Sequence, residues 1–151
     1  MEIIRVASDD QDLKQLLQTY EHEFSAITGK NPDQNGDYEL DVDLAKTDNF
    51  LLKLDQRKIG FCIKTVSHGR HDILEFYVQA LERGQKIGEQ FAHEIFKMYP
   101  GQWQVRQIEG ADKARSFWRK TINSFTSGQY KEETVVDEYW GKVSKQTFTS
   151  A

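Results

Sequence analysis

The segment Asp72–Glu89, DILEFYVQALERGQKIGE, is the most informative part of this chain for predicting its fold. Its first half is rich in β-branched and aromatic residues, which predicts a strand over Asp72–Val78. From about Gln85 onward, apolar residues recur every three to four positions, which predicts an amphipathic helix. Asp72 is the first residue of this strand, and Glu75 is the only acid in its apolar interior. The stretch therefore predicts a carboxylate on a strand that leads through a short turn into a helix.

The remainder of the chain extends this pattern on both sides. We expect strands at about residues 2–7, 49–54, 59–66, 72–78, 103–108, 130–136 and 140–148, and helices at about 8–28, 85–99 and 111–122. Ser8 and Gln11 fit a capping box at the first helix. Residues 38–46 alternate apolar side chains with aspartates and remain ambiguous. The order of elements predicts a mixed α/β sheet in one domain over residues 1–151.

Composition narrows the functional classes. The 151 residues carry a formal net charge of -4, with 38% hydrophobic and 29% charged residues, as in ordinary globular proteins. An acidic balance argues against nucleic acid as a partner. No apolar run approaches the ~20 residues of a membrane span, so we expect a cytoplasmic protein without a membrane partner. The lone Cys62, inside an apolar run, is interpreted as a buried and inert thiol.

Four local segments carry a family resemblance: Ile59-Gly60-Phe61, Glu75–Val78, Arg83–Gly88, and Ala114-x-x-Phe117-Trp118. Together with the element order, they make nearly the whole chain resemble the GNAT superfamily of acyl-CoA N-acyltransferases. The resemblance implies a central, mostly antiparallel sheet flanked by helices. It also implies acetyl-CoA as co-substrate and transfer of the acetyl group to a primary amine by direct attack.

Glu75 is the candidate general base. Burial disfavours an ionised carboxylate and raises its pKa, which suits a base that works near neutral pH. The resemblance places an acid with this role on the same strand. The alternative is a Glu that only hydrogen-bonds a core partner or faces a solvated cleft. In the family, this strand also binds the pantetheine arm and polarises the thioester through its backbone, which implies contacts from Phe76, Tyr77 and Val78.

The turn into the following helix is the candidate phosphate site. A helix start carries unpaired amides and partial positive charge, and glycines let a ligand approach the backbone. The resemblance implies that this loop holds the pyrophosphate of coenzyme A. The implied residues are Arg83, Gly84, Gln85, Lys86, Ile87, Gly88 and Glu89. Lys86 replaces the first glycine of the family motif, so it either removes a backbone conformation or adds a phosphate contact. The alternative is an ordinary strand-to-helix turn.

Trp118 marks a departure from the family pattern. Family members often carry a tyrosine here that protonates the thiolate leaving group, and an indole cannot do so. We interpret Trp118 as a packing residue that contacts the cofactor. Another group, Tyr77, Tyr130 or Tyr139, would then supply the proton, or the thiolate would leave to water. The remaining interpretation is a module that binds coenzyme A or another ligand without catalysis.

No metal site is expected. His68 and His71 bracket a predicted turn without a third ligand, so we expect exposed turn residues. A group of acids, Glu39, Asp41, Asp43 and Asp48, either lines a site for a cationic amine or belongs to a solvated loop. The acceptor is expected to be a small-molecule or peptide amine that the sequence does not identify, and a homodimer is left open.

Overall fold

A computed structural model describes residues Met1–Ala151 and confirms the mixed α/β architecture. The strands are β1 (Glu2–Val6), β2 (Asp48–Leu54), β3 (Arg57–Ser67), β4 (Arg70–Val78), β5 (Gly101–Ile108), β6 (Lys131–Asp137) and β7 (Gly141–Ser150). The helices are α1 (Gln11–Glu23), α2 (Ser25–Thr28), α3 (Ile87–Met98) and α4 (Asp112–Thr126). None of these helices is both long and apolar enough to cross a membrane.

The seven strands form one sheet in the order β1-β2-β3-β4-β5-β7-β6. β1 and β2, β2 and β3, β5 and β7, and β6 and β7 pair antiparallel, whereas β4 and β5 pair parallel. The predicted, mostly antiparallel sheet is therefore confirmed. Internal contacts divide the chain into two compact units, 1–64 with 75–83 and 65–74 with 84–151. The expectation of a single domain stays a prediction.

In the first unit, α1 contributes Leu13 and Leu17 to the core, and β2 and β3 contribute a row of fully buried apolar side chains. β3 and β4 approach each other closely at Gly60. A Cβ at this position would lie 2.3 Å from the backbone oxygen of Tyr77. A glycine is therefore required here by the close approach of two backbones, not by a turn.

The first helix differs from its prediction at both ends. Asp10, not Ser8, caps α1, because its side chain accepts a hydrogen bond from the amide of Leu13 at 2.9 Å. The helix ends at Glu23, and Phe24 adopts a non-helical conformation before the four-residue α2. Helical spacing of the apolar residues continues across this break, so the sequence pattern does not reveal it.

The second unit is built around aromatic side chains. Phe96 of α3 packs edge-on against Phe148 of β7 and against Trp103 of β5, with ring centroids 4.8 Å and 5.0 Å apart. The indole of Trp103 donates to the carbonyl of Tyr99 at 2.8 Å, which joins β5 to the end of α3. The parallel pairing of β4 with β5 is short and joins His71–Ile73 to Trp103–Val105.

Several predicted bounds change in the structure. The turn expected over residues 67–71 contracts to His68 and Gly69, both at positive φ, because β3 and β4 extend toward each other. His71 consequently lies in β4 with its ring 4.9 Å from that of Trp103, so the expectation of an exposed turn residue is wrong for it. The ambiguous segment 38–46 contains no strand and ends in a short 3₁₀ helix, Leu44–Lys46.

Candidate active site

Glu75 lies on the half of β4 that belongs to the first unit and faces α1. The hydroxyl of Tyr20 donates a hydrogen bond to its carboxylate. Burial raises the pKa of Glu75 to about 7, and the hydrogen bond from Tyr20 opposes this shift. Burial and the charge of Glu75 together raise the pKa of Tyr20 well above its usual range, so Tyr20 keeps its proton and acts as a donor. A carboxyl that titrates near neutrality can both accept and release a proton.

Two further carboxylates lie beside Glu75. One carboxylate oxygen from each of Glu21, Asp41 and Glu75 falls within 4.8 Å of the others. The ammonium of Lys30 contacts this group, 2.8 Å from Asp41 Oδ2 and 3.1 Å from Glu21 Oε2, and it also donates to the carbonyl of Glu39 at 3.0 Å. The cluster therefore already holds a cation from its own chain.

The charges of this cluster act on one another. Burial raises the pKa of Glu21, and Lys30 opposes that shift. Burial lowers the pKa of Lys30, but the hydrogen bonds to Asp41 and Glu21 outweigh this effect, so the pKa is raised overall. Carboxylates this close can also bind a divalent cation, but the ammonium of Lys30 already contacts two of the three. We assign no metal here, and the expectation of a metal-free protein stays a prediction.

Tyr77 occupies the opposite face of β4 from the neighbouring Phe76. It forms an aromatic wall with Tyr20 and Phe61. Its ring stacks on Phe61 at 5.7 Å and meets Tyr20 edge-on at 5.8 Å. Its hydroxyl donates to Glu23 at 3.3 Å, and burial with the charge of Glu23 raises the pKa of Tyr77. The predicted cofactor contact of Tyr77 can therefore come only from its backbone or its hydroxyl edge, since the ring is buried.

Arg83 folds back onto the first unit. Its Nε donates to the carbonyl of Val78 at 2.8 Å, its Nη2 pairs with Glu23 at 2.7 Å, and its guanidinium lies 5.4 Å from the centre of the Tyr77 ring. These contacts fix the end of β4. The ion pair with Glu23 also neutralises the Arg83 charge that was expected to contact the pyrophosphate of coenzyme A, although 44% of the Arg83 side chain stays exposed.

The entry of α3 lies in the second unit and begins at Lys86. Both Gly84 (φ 83°) and Lys86 (φ 62°) adopt the left-handed conformation, and the Lys86 side chain makes no capping hydrogen bond. The first helical bond runs from the Gln90 amide to the Lys86 carbonyl, so the amides of the preceding turn have no partner within the helix. This geometry leaves backbone donors at a positively polarised helix end.

The side chains around this entry differ in what they offer to an anion. Lys86 and Gln85 are exposed, and Lys86 forms no ion pair within the chain. Ile87, Gly88 and Glu89 are half-buried. The carboxylate of Glu89 lies 3.9 Å from His93 Nε2 and would repel a phosphate, so only its backbone amide can serve as a donor. Lys86 stands where the family motif has its first glycine, and it adopts the left-handed conformation that glycine favours.

Trp118 is buried in the second unit, with 5% of its surface exposed. Its ring lies 6.4 Å from Phe96 and 5.0 Å from Phe117, which agrees with a packing residue. Among the alternative proton donors, Tyr139 is 75% exposed in the turn between β6 and β7. Cys62 is fully buried, as predicted, and burial raises the pKa of its thiol to about 12.

The sequence did not single out three members of the Glu75 cluster. Tyr20 lies within the predicted first helix, and Glu21 and Lys30 belong to no motif. Among the grouped acids, only Asp41 joins the cluster. Asp43 caps the 3₁₀ helix, and Asp48 pairs with Lys64 and Arg5. These residues come from separate segments that only the fold brings together, so no spacing in the sequence signals the cluster.

Comparison with known proteins establishes the fold. No family model matches the chain, and no curated protein matches it in sequence. Solved structures do match over almost its full length. An aminoglycoside acetyltransferase in complex with coenzyme A superposes with a TM-score of 0.70 at 12% identity, covering 97% of this chain and 93% of that one.

Two further structures agree. A Bacillus subtilis acetyltransferase in complex with CoA gives a TM-score of 0.63 at 8% identity, covering 98% of this chain and 97% of that one. A GNAT family acetyltransferase from Elizabethkingia anophelis with acetyl-CoA bound gives 0.59 at 15% identity, with coverage of 98% and 97%. Identities this low support the fold alone. The seven-stranded sheet and its flanking helices are those of the GNAT acetyltransferases.

Proposed function

We propose that this chain is an acetyl-CoA-dependent N-acetyltransferase in which Glu75 is the general base. The single observation that carries the proposal is a carboxyl on β4 whose pKa is raised by burial to about 7 and which hydrogen-bonds Tyr20. A base with this pKa is about half deprotonated at neutral pH and can accept a proton from an attacking amine. The GNAT fold supports the choice of acetyl-CoA as the acyl donor.

The reaction follows from these groups. The lone pair of a neutral primary amine attacks the thioester carbonyl carbon and forms a tetrahedral intermediate. Glu75 takes the proton that the nitrogen loses, directly or through water. The C–S bond then breaks, and coenzyme A leaves as a thiol once its sulfur gains a proton. The β4 amides near Phe76 and Val78 are the proposed donors to the developing oxyanion.

Coenzyme A would be bound through two separate groups of donors. The backbone of Phe76, Tyr77 and Val78 is proposed for the pantetheine arm. At the entry of α3, the amides from Ile87 to Glu89 fit a pyrophosphate, because they lie at a helix start with no side-chain cap. The unpaired ammonium of Lys86 adds a positive charge there.

Arg83 and Trp118 fit the cofactor less directly than these backbone donors. Arg83 can contact a phosphate only if it exchanges its ion pair with Glu23, so we give it a secondary role. Trp118 offers a buried aromatic surface and no titratable group. The proton for the thiolate would therefore come from water or a tyrosine hydroxyl. The acceptor is proposed to be a small-molecule or peptide amine.

A thiol-release assay tests this function. Purified protein with saturating acetyl-CoA should release free thiol when a matching primary amine is present in a broad panel. The Glu75→Gln variant should lose turnover while it still binds acetyl-CoA. Glu94→Gln, an exposed change on α3 of the same chemistry, should keep full activity. Equal turnover by wild type and Glu75→Gln would remove Glu75 from the mechanism.

One observation favours a second candidate function. The position where the family often carries a tyrosine acid holds the buried Trp118, which agrees with a module that binds coenzyme A without catalysis. This alternative predicts measurable affinity for coenzyme A and no thiol release with any amine. The assay above, combined with a binding titration, separates the two functions.

A further inference from the structure

Lys30 is the one cation that contacts the carboxylate cluster beside Glu75. Its ammonium lies 2.8 Å from Asp41 Oδ2 and 3.1 Å from Glu21 Oε2, and a third contact at 3.0 Å goes to the backbone carbonyl of Glu39. All three donor positions of the ammonium are therefore engaged. Only 16% of the side chain is exposed, so Lys30 is held in a fixed position.

The charge balance of this cluster requires such a cation. Three carboxyls whose oxygens lie within 4.8 Å cannot all ionise beside a single ammonium without strong repulsion. Glu21 is buried and its carboxylate bonds Lys30 directly, and Asp41 does the same from the more exposed side. Glu75 forms no ion pair with the ammonium and is the member that keeps a proton most easily.

We infer that Lys30 is a positioning residue whose ammonium, held by Glu21 and Asp41, keeps Glu75 available as a proton acceptor at neutral pH. The inference rests on the proposed function for its catalytic meaning. The ionisable groups that act on Glu75 are Tyr20 and Glu21 from α1 and Lys30 and Asp41 from the loop that follows α2. Glu21 and Asp41 favour its protonated form, whereas Lys30 and Tyr20 favour its ionised form.

Lys30 is not itself a suitable acceptor. The hydrogen bonds to Asp41 and Glu21 raise its pKa, so it stays protonated and lacks the lone pair that an attack needs. Lys30 therefore acts as a permanent positive charge beside the carboxylates of the cluster. Loss of this charge should move the protonation of Glu75 to higher pH by about one pH unit, the lower end of the effect of a nearby opposite charge. The ionised fraction of Glu75 at neutral pH would then fall about fivefold.

A carboxyl titration tests the inference without turnover. In protein labelled with ¹³C at the glutamate carboxyl carbons, the Glu75 resonance is the one that Glu75→Gln removes. The midpoint of its pH titration should rise by about one pH unit in Lys30→Gln. It should stay near the wild-type value in Lys30→Arg, which keeps the charge. The matched control is Lys46→Gln, which makes the same charge change at an exposed side chain paired only with Asp43. This variant should leave the Glu75 midpoint unchanged.

A second variant covers the case in which Lys30→Gln does not fold. Asp41→Asn changes a more exposed side chain and should move the Glu75 midpoint downward, opposite to Lys30→Gln. A Glu75 midpoint unchanged in folded Lys30→Gln, or unchanged or raised in Asp41→Asn, overturns the inference. Shifted midpoints in a protein that acetylates no amine would support the coupling and contradict the proposed function instead. Turnover with unshifted midpoints would overturn the inference alone.

Discussion

The hydroxyl of Tyr20 donates a hydrogen bond to the carboxylate of Glu75, and this bond joins α1 to β4. The hydrogen bond lowers the pKa of Glu75 because it favours the ionised carboxylate, whereas burial raises that pKa. The Tyr20 ring is also held by edge-on contacts with Phe61 and Tyr77. The position of the candidate base is thus fixed by an aromatic wall as well as by charge.

Glu75→Gln should reduce kcat about 10²- to 10⁴-fold, the usual contribution of a general base, while the affinity for acetyl-CoA stays the same. The wild-type rate should rise with pH through about 7, since the ionised form of Glu75 is the active one. Steady-state kinetics across a pH series measure both. A wild-type profile without a limb near neutrality would contradict the role of Glu75.

Tyr20→Phe removes the donor and keeps the ring. The pKa of Glu75 should rise further, and the acid limb of the pH profile should move upward. The packing with Phe61 and Tyr77 survives, so the free energy of unfolding should fall by only about 1 kcal/mol. An acid limb that moves downward, in a variant with a wild-type circular dichroism spectrum, would show that Tyr20 does not support the ionised form.

The raised pKa of Glu75 also predicts a pH dependence of stability. The folded state binds the proton up to about pH 7, whereas the unfolded state releases it near the ordinary value of 4.5. Stability should therefore fall as pH rises through this window. Glu75→Gln lacks the effect, so urea unfolding should show wild type losing about 1–3 kcal/mol relative to the variant between about pH 4 and pH 8. A constant difference between the two proteins would contradict the assignment.

Lys86→Gly tests the strained entry of α3. A non-glycine residue in the left-handed conformation costs about 1–2 kcal/mol, part of which the flexibility of glycine offsets, so the variant should gain up to about 1 kcal/mol in stability. Gly84→Ala, at φ 83° in open space, is the matched control and should lose stability. If Lys86 contacts a phosphate of coenzyme A, Lys86→Gly should bind it more weakly despite the gain. Unchanged affinity would limit Lys86 to a backbone role.

Gly60→Ala should destabilise the first unit. The added Cβ would meet the backbone oxygen of Tyr77 at 2.3 Å, so β3 and β4 must move apart. A forced fit of this kind costs about 1–3 kcal/mol, and the shift would also displace Glu75 on the same strand. Thermal unfolding measures the first effect and thiol release the second. A wild-type melting temperature would show that the two strands separate without strain.

The fold could be predicted from sequence because its strands and long helices carry strong periodic patterns. Asp72–Val78 and the row that starts α3 are examples, and both appear within two residues of their predicted bounds. The pattern could not show that α1 stops at Glu23, since the apolar spacing continues past Phe24.

The candidate site was predicted only where one residue stands out in its own segment. Glu75 is the only acid in the apolar interior of its strand, so its raised pKa follows from local sequence. The partners Tyr20 and Lys30 could not be predicted, because their contacts depend on how α1 and the following loop pack on β4. Arg83 was predicted to face phosphate, yet Glu23, a neighbour only in the folded chain, pairs with it.

Calorimetric titration with acetyl-CoA is the strongest test of the proposed function, and the thermal shift of the protein is a check on it. We predict micromolar binding, and a ligand at about 100 times its Kd should add roughly 2.7 kcal/mol to the free energy of unfolding. No binding at millimolar acetyl-CoA, with no change in melting temperature, would contradict both the transferase and the coenzyme A-binding module.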